Sequence, residues 1–474
     1  MTRHNIVLFL TDQWRWDTLN QPDHPARLPH LRAFQDEAAN FTNAFTSVPL
    51  CTPARASLFT GKWPHQTGTM DNVGGQSYYP HGKLHPSHKT YMERLQTDGY
   101  NVCFIGKWHL GAGTLVERGI TDCPLSDGGA TPKYLNIDDL SFDGPRKDPF
   151  YGAISEGTHI DGQRVQTGIE RLEELAADNK PFCLIVSLYG PHFPHHVPQE
   201  YVDLYGDLPE DYMPDNYCPQ FSETGKPHAQ SASYWPCQDT RGLTQDDWRK
   251  TVQHYWGFCS YIDDLFGQFR AKMRDLGLDK RTVTAFSADH GEMLGAHGWF
   301  DKRPFYYDEV MRIPMMIKAP GSAPSTQDGF AGLRDLFPTL VDCAQAETTL
   351  DAAERGRSFR STNASYITYG YDAYQGRQFK FRGIRNERYK YSWSPHDIEE
   401  LYDLASDPQE RINLATSPDH QNLRQVLNSQ LFDWMRSEDD AVAHGGYWLP
   451  VGSYVDGRDI SEQHDHSVTH QAQT

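Results

Sequence analysis

A chain of 474 residues with a formal net charge of -19 and no block of Lys or Arg is poorly suited to nucleic acid or to an anionic membrane surface. With 38% apolar and 23% charged residues it has the balance of a water-soluble globular protein rather than a disordered one, and no apolar run reaches the length that crosses a bilayer. Its eight cysteines form no CxxC pair and no framework spacing, so they imply neither a zinc ribbon nor a disulfide scaffold.

In chain order, NIVLFL (5–10) is the first strand. It begins too close to the start for a signal peptide, so the chain as given reads as cytoplasmic. LPHLRAFQDEAA (28–39) has a helical pattern. In CTPARASLF, Thr52 suits an N-cap, Pro53 suits the first helical position, and the helix runs on. TYMERLQTDG (90–99) is a helix closing on Gly99, followed by the strand NVCFI (101–105). The strand FCLIVSLY (182–189), a long helix over 254–277 and the strand TVTAFSA (282–288) come next. These strands are continuously apolar, as strands buried on both faces are, and their alternation with helices predicts a parallel sheet covered on both sides. The linker-like stretch 347–363 divides the chain into a large α/β unit, 1–360, and a smaller α+β unit, 361–474. In the second, SYITYGY (365–371), FKFRGIR (379–385) and YKYSW (389–393) suggest short antiparallel strands; a helix over 420–436 and a polar tail from 459 follow.

The polar residues that follow the strands carry the chemistry. Asp12 ends the first strand's segment. Lys107 and His109 sit in GKWHLG (106–111), His192 in PHFPHH (191–196), and Asp289 and His290 directly after TVTAFSA. In an open parallel sheet ligands bind outside the carboxyl ends of the strands, so four strand ends deliver carboxylates, imidazoles and an ammonium to one edge. Cys51 lies just before a helix N-terminus, whose free N–H groups favour an anion, and Arg55 is one turn along.

The segment CTPARASLFTGKWPHQTG (51–68) resembles the signature of the type I sulfatases, members of the alkaline phosphatase superfamily. The resemblance continues through GKWHLG, through ADHGEMLGAHGWFDKRPFYYDE (288–309) and through ERYKY (387–391) with ELYDLASDPQERINLA (400–415). It implies a large, mostly parallel mixed sheet between helices, with a smaller C-terminal antiparallel sheet and helix. It also implies that Cys51 is oxidised to formylglycine by a maturation enzyme and acts, as the gem-diol, on a sulfate monoester. Asp12, Gln13, Asp289 and His290, with residue 51, would surround a divalent cation: calcium by family expectation, magnesium or manganese as alternatives. Arg55 would hold the formylglycine. Lys107 and Lys302 would clamp sulfate oxygens, Asp289 would relieve the nucleophile of its proton, and His109 and His192 would transfer the others. By composition alone Lys302, in WFDKRPF, reads as solvated and the pair His195–His196 as exposed, while His65 and Asn72 are candidates to line the cleft.

The substrate expected is a small sulfated saccharide, because 112–160 and 196–248 are rich in Tyr, Trp, Asp and Pro. Where many sulfatases have Asp-Asp and Asn, this chain has Asp12-Gln13 and His290. Those pairs also resemble phosphonate monoester hydrolases, the alternative enzyme of the same superfamily. A catalytically silent binding protein is the third possibility; intact Cys51, Arg55, Lys107, His109 and Asp289 argue against it.

Overall fold

The computed structural model describes residues 3–444 except 74–82, 112–113, 129–139, 143, 179, 219–224, 232–238, 303–304, 347–349, 351–366, 370–380 and 395–396, and describes the backbone of two short strands within 454–459. In chain order the first fourteen strands are β1 (Asn5–Asp12), β2 (Ala39–Phe45), β3 (Asn101–Gly106), β4 (Arg146–Lys147), β5 (Tyr151–Ile154), β6 (Phe182–Pro191), β7 (His196–Pro198), β8 (Thr282–Ala288), β9 (Met315–Lys318), β10 (Ser325–Gly332), β11 (Ile367–Tyr369), β12 (Arg382–Arg385), β13 (Tyr389–Trp393) and β14 (Glu400–Asp403).

Seven of these form the main sheet, in the order β10-β2-β9-β8-β1-β6-β3. The four strands expected from the sequence, β3, β6, β1 and β8, lie side by side and all run parallel. Only β9 runs against its neighbours, β8 and β2. The parallel strands are apolar throughout because both faces are covered. Phe9, Val186 and Ile105 are in register and share a face. There Phe9 meets Phe266 and Phe269 of the long helix Gln245–Asp275, with ring centroids 5.2 and 5.9 Å apart. The next residue along β3, Phe104, points the other way and packs on Phe59 of helix Cys51–Thr60 at 5.8 Å. The fold is alkaline phosphatase-like, as the resemblance implied.

Several boundaries differ from expectation, the first being the helix expected over 28–39, which ends at Gln35 because β2 already starts at Ala39. The long helix begins at Gln245, nine residues before the expected start, because Thr244 and Asp247 form a capping box there. The helix after Leu50 begins at Cys51 itself, so Thr52 is inside it and is not its N-cap. The expected boundary near residue 360 and the tail beyond 459 lie outside the described residues.

Strands β11 to β14 form a separate antiparallel sheet, and helix Gln421–Ser437 packs Leu427, Leu431 and Met435 on Ile384, Tyr391 and Leu401. An ionic seam joins this unit to the segment after β8. Asp308 accepts from Arg385 at 2.6 Å and Lys390 at 2.8 Å, and Lys390 reaches Glu410 at 2.7 Å. Among the described residues no helix is long and apolar enough to cross a membrane. For function, one property of the sheet matters most. Because β1, β3, β6 and β8 are parallel, Asp12, Lys107, His192 and Asp289 all leave it at the same edge.

Candidate active site

Cys51 opens helix Cys51–Thr60 after an extended Leu50, which places the thiol at the helix N-terminus, 1% exposed. The loop that follows β3 is tied to this point. The Thr52 hydroxyl donates to the His109 carbonyl at 2.9 Å, and Asn72 Oδ1 accepts the Thr52 N–H at 3.0 Å. Asn72 is therefore at the site, where it braces the helix start. His65 is not: its Nε2 bonds the Glu438 carbonyl at 2.8 Å, on the C-terminal unit.

Asp12, Cys51, Asp289 and His290 each direct one ligating atom into a single cluster, all within 4.8 Å of one another. Arg55 explains why both carboxylates point there. It is fully buried and takes Asp289 Oδ2 at 2.8 Å and Asp12 Oδ2 at 3.1 Å, which leaves both Oδ1 atoms facing the cluster. The remaining nitrogen of its fork donates to Ser187 Oγ at 2.8 Å and to the Lys107 carbonyl at 2.5 Å. Ser187, near the end of β6, was missed in the sequence; its one signal is a hydroxyl inside an otherwise apolar strand.

The donor set fits a divalent cation. His290 Nδ1 bonds the Gly291 carbonyl at 2.9 Å, which holds the ring with Nε2 in the cluster, 3.2 Å from Cys51 Sγ. Burial opposes charging this imidazole, yet Asp289, Cys51 and Asp12 raise its pKa to about 9. A pocket so negative that it draws a proton onto a buried ring is one that a bound cation would neutralise. Two carboxylate oxygens and one imidazole suit calcium, magnesium or manganese better than a softer ion.

Further cations face the same point. Lys107 Nζ lies 3.6 Å from Cys51 Sγ and 2.5 Å from Asp12 Oδ2. Burial alone would raise the Asp12 pKa, but Lys107, with Arg55 and His290, holds it well below the usual carboxylate range. Lys302 is 3% exposed, not solvated as its surrounding sequence suggested, and its Nζ lies 2.6 Å from His192 Nε2. His192 Nδ1 bonds the Phe193 carbonyl at 2.5 Å. Burial and the charge of Lys302 depress the His192 pKa well below 6.5, and burial with Lys107 and Arg55 does the same to His109. Both rings are therefore neutral at pH 7. The backbone N–H of His109 is held by Asp127 Oδ2 at 2.9 Å, and the residue sits at φ +57°.

Gln13 stands between the cluster and Lys302. Its backbone N–H donates to Asp289 Oδ1 at 3.2 Å, its side-chain oxygen accepts from Lys302 Nζ at 3.1 Å, and its amide nitrogen donates to Glu292. As placed, the carboxamide oxygen expected to face a cation serves Lys302. His195 and His196, expected to be exposed, are buried; His195 packs on Tyr255 and Phe300, and His196 pairs with Asp148 at 2.8 Å.

Cations gathered around a helix N-terminus, in a protein of net charge -19, define the class: a hydrolase built to receive an anionic ester. The chain belongs to the sulfatase family, whose model matches residues 4–346, and it is a sulfuric ester hydrolase. A second model, described as N-sulphoglucosamine sulphohydrolase, C-terminal, matches 295–437. The ulvan-active sulfatase of Formosa agariphila is 30% identical over 492 residues, covering 96% of this chain and 86% of that protein. Choline-sulfatase of Rhizobium meliloti is 29% identical over 447 residues, covering 87% and 83%. Among solved structures, a phosphonate monoester hydrolase from Silicibacter pomeroyi aligns with a TM-score of 0.73 at 19% identity, over 92% of this chain and 96% of that one; this likeness concerns the fold alone.

Proposed function

We propose that the protein removes sulfate from a sulfated saccharide, with residue 51 matured to formylglycine. The observation that carries this reading is the position of Lys107, whose ammonium sits 3.6 Å from the side chain of residue 51 at the mouth of a helix N-terminus. A sulfate monoester spreads its charge over non-bridging oxygens, and cations fixed around them stabilise the charge that shifts during cleavage. The hydrated formylglycine would supply the hydroxyl that attacks sulfur, and a bound divalent cation would lower that hydroxyl's pKa and neutralise charge on the ester.

The chain's own residues do the rest. Asp12, Asp289 and His290 would hold the cation, calcium first among the alternatives, and Arg55 fixes both carboxylates. Asp289 would accept the proton of the attacking hydroxyl, a reading supported by its Oδ1 atom, which faces the cluster while Oδ2 is held by Arg55. Lys107 and Lys302 would grip the sulfate from two sides. His109, whose neutral ring is buried among the charges of Lys107, Arg55, Asp12 and Lys302, would accept a proton when the side chain of residue 51 is regenerated. His192 would protonate the leaving alkoxide. Its ring is neutral in the resting site, and a sulfate seated between Lys302 and Lys107 offsets the charges that depress it, so substrate binding itself raises its proton affinity. With Cys51 only 1% exposed, oxidation by a maturation enzyme would precede completion of the fold.

His192→Ala is therefore expected to lose roughly 10²–10⁴-fold in kcat on an alkyl or saccharide sulfate. The loss should be far smaller on an aryl sulfate whose leaving group needs no proton. Equal losses on both would remove His192 from the role.

The saccharide is supported by the polysaccharide named for the Formosa relative and by the amino sugar named in the second family model. Sulfate release across a panel of sulfated mono- and disaccharides tests it; turnover of choline sulfate in preference to every sugar would exclude it. The second reading, a phosphonate monoester hydrolase, is favoured by Gln13 and His290, which take the places where many sulfatases have Asp and Asn. A sulfate monoester offers three non-bridging oxygens, a phosphonate monoester only two and a carbon substituent. Lys107 has a use for the third oxygen. We expect kcat/KM on aryl sulfates to exceed that on aryl phosphonates, and Lys107→Ala to narrow the difference; the opposite preference in the unmutated enzyme would select the second reading.

A further inference from the structure

Asp127 has no part in the chemistry described above, yet it is buried and takes two consecutive backbone N–H groups of the loop after β3. Its Oδ1 accepts from Trp108 and its Oδ2 from His109 at 2.9 Å. The segment that carries it is itself fixed. Ser126 Oγ accepts the Gly128 N–H at 3.1 Å, and the Gly128 carbonyl accepts the Leu115 N–H at 3.0 Å. Gly128 lies so close to the Trp108 ring that a Cβ there would come within 2.5 Å of it.

The two functional side chains of this loop are held by different partners. Lys107 belongs to the sheet: its N–H donates to the Ser187 carbonyl at 2.8 Å, and its own carbonyl accepts from Ser187 Oγ at 2.7 Å and from Arg55. His109 sits at φ +57°, a conformation that a residue with a Cβ keeps only where its surroundings impose it. Its ring nitrogen Nδ1 is buried and, among the described residues, has no hydrogen-bond partner. The ring is thus aimed through its main chain, whose N–H is held by Asp127 and whose carbonyl is held by Thr52 at 2.9 Å.

We propose that Asp127 is a positioning residue for His109, and so for the second half of the reaction alone. The proposal rests on the role given to His109 above. In that half His109 takes the hydroxyl proton of residue 51. The O–H electron pair becomes the second C–O bond of the aldehyde, and sulfate leaves with the pair of the C–O bond that breaks. The first half, attack on sulfur and loss of the alcohol, uses Lys107, Asp289 and His192, which are held by other groups.

Asp127→Asn keeps the shape but turns an NH₂ towards one of the two N–H groups, so the loop must shift. In formylglycine-containing protein given 4-nitrophenyl sulfate, we expect a burst close to one nitrophenol per site. The steady rate that follows should be about 10²-fold below that of the unmutated enzyme, the scale of a misplaced catalytic group. Mass spectrometry of the quenched protein should find residue 51 carrying sulfate. General damage to the fold would instead lower burst and steady rate together and leave no sulfated residue 51. His109→Ala should behave as Asp127→Asn does, and the double variant should be no slower than His109→Ala alone. A sulfated residue 51 in His109→Ala but not in Asp127→Asn, or additive losses in the double variant, would overturn the proposal and leave the role of His109 standing. Its absence from His109→Ala removes that role, and the proposal with it. If Asp127→Asn does not fold, Asp127→Glu, which keeps the carboxylate and lengthens its reach, should give the same burst and the same sulfated residue; absence of that residue would overturn the proposal.

Discussion

Cys51→Ala is expected to remove essentially all turnover, by roughly 10⁵-fold or more, the scale seen when a covalent nucleophile is deleted. The remaining groups would still bind the ester. Without the side chain of residue 51, Lys107 keeps Asp12, Lys302 keeps Gln13 and Asp301, and Asp12 and Asp289 stay tied to Arg55. KM for any residual reaction should therefore change far less than kcat. Little unfolding should accompany the loss, because removing one sulfur atom leaves the helix Cys51–Thr60 and its contacts intact. Peptide mass spectrometry of the unmutated protein, made in a host with the maturation machinery, should find residue 51 as formylglycine. Fully active protein containing only unmodified Cys51 would end the proposed mechanism.

Asp12→Ala is expected to abolish turnover and, unlike Cys51→Ala, to destabilise the protein. The second effect follows from Arg55. Its guanidinium is wholly buried and is matched by two carboxylates, and the Oδ2 atom of Asp12 also takes Lys107 at 2.5 Å. Removing one member of a buried charge set leaves the others uncompensated, at a cost of about 3–5 kcal/mol. Asp12→Asn preserves the shape and one acceptor oxygen, so it should fold better while remaining inactive. Thermal unfolding of both variants beside a sulfate-release assay checks this. An Asp12→Ala protein with the Tm of the unmutated enzyme would mean that Arg55 does not rely on Asp12, and an active one would remove Asp12 from the site.

The order in which these residues meet in space was legible because each stands at a place the chain announces. A continuously apolar run such as NIVLFL or TVTAFSA has to be buried on both faces, and the polar residue that ends it has to emerge at the rim. Cys51-Thr-Pro-Ala-Arg combines a thiol, a helix start and a cation one turn on, which is local information. Those features determined the parallel part of the sheet, the edge that carries the site, and Asp12, Lys107, His192 and Asp289 upon it. The strands β2 and β10 gave no such signal: ANFTNAF is half polar, and β10 is exposed along most of its length at the sheet's edge.

What the tertiary structure alone decided are the partnerships across long separations. Nothing near residue 55 says that its guanidinium will bridge carboxylates 43 residues before it and 234 after it. Lys302 belongs to a segment of surface composition and becomes an interior ammonium only because Gln13, Asp301 and His192 are folded around it. The Gln13 amide is oriented between Lys302, which can only donate to its oxygen, and Glu292, 289 and 279 residues away. Hydrogen-bond direction depends on which acceptor stands opposite, and that is a property of the folded neighbourhood. Composition determines which groups are present; only the packing of β1 against β8 determines which of them face one another.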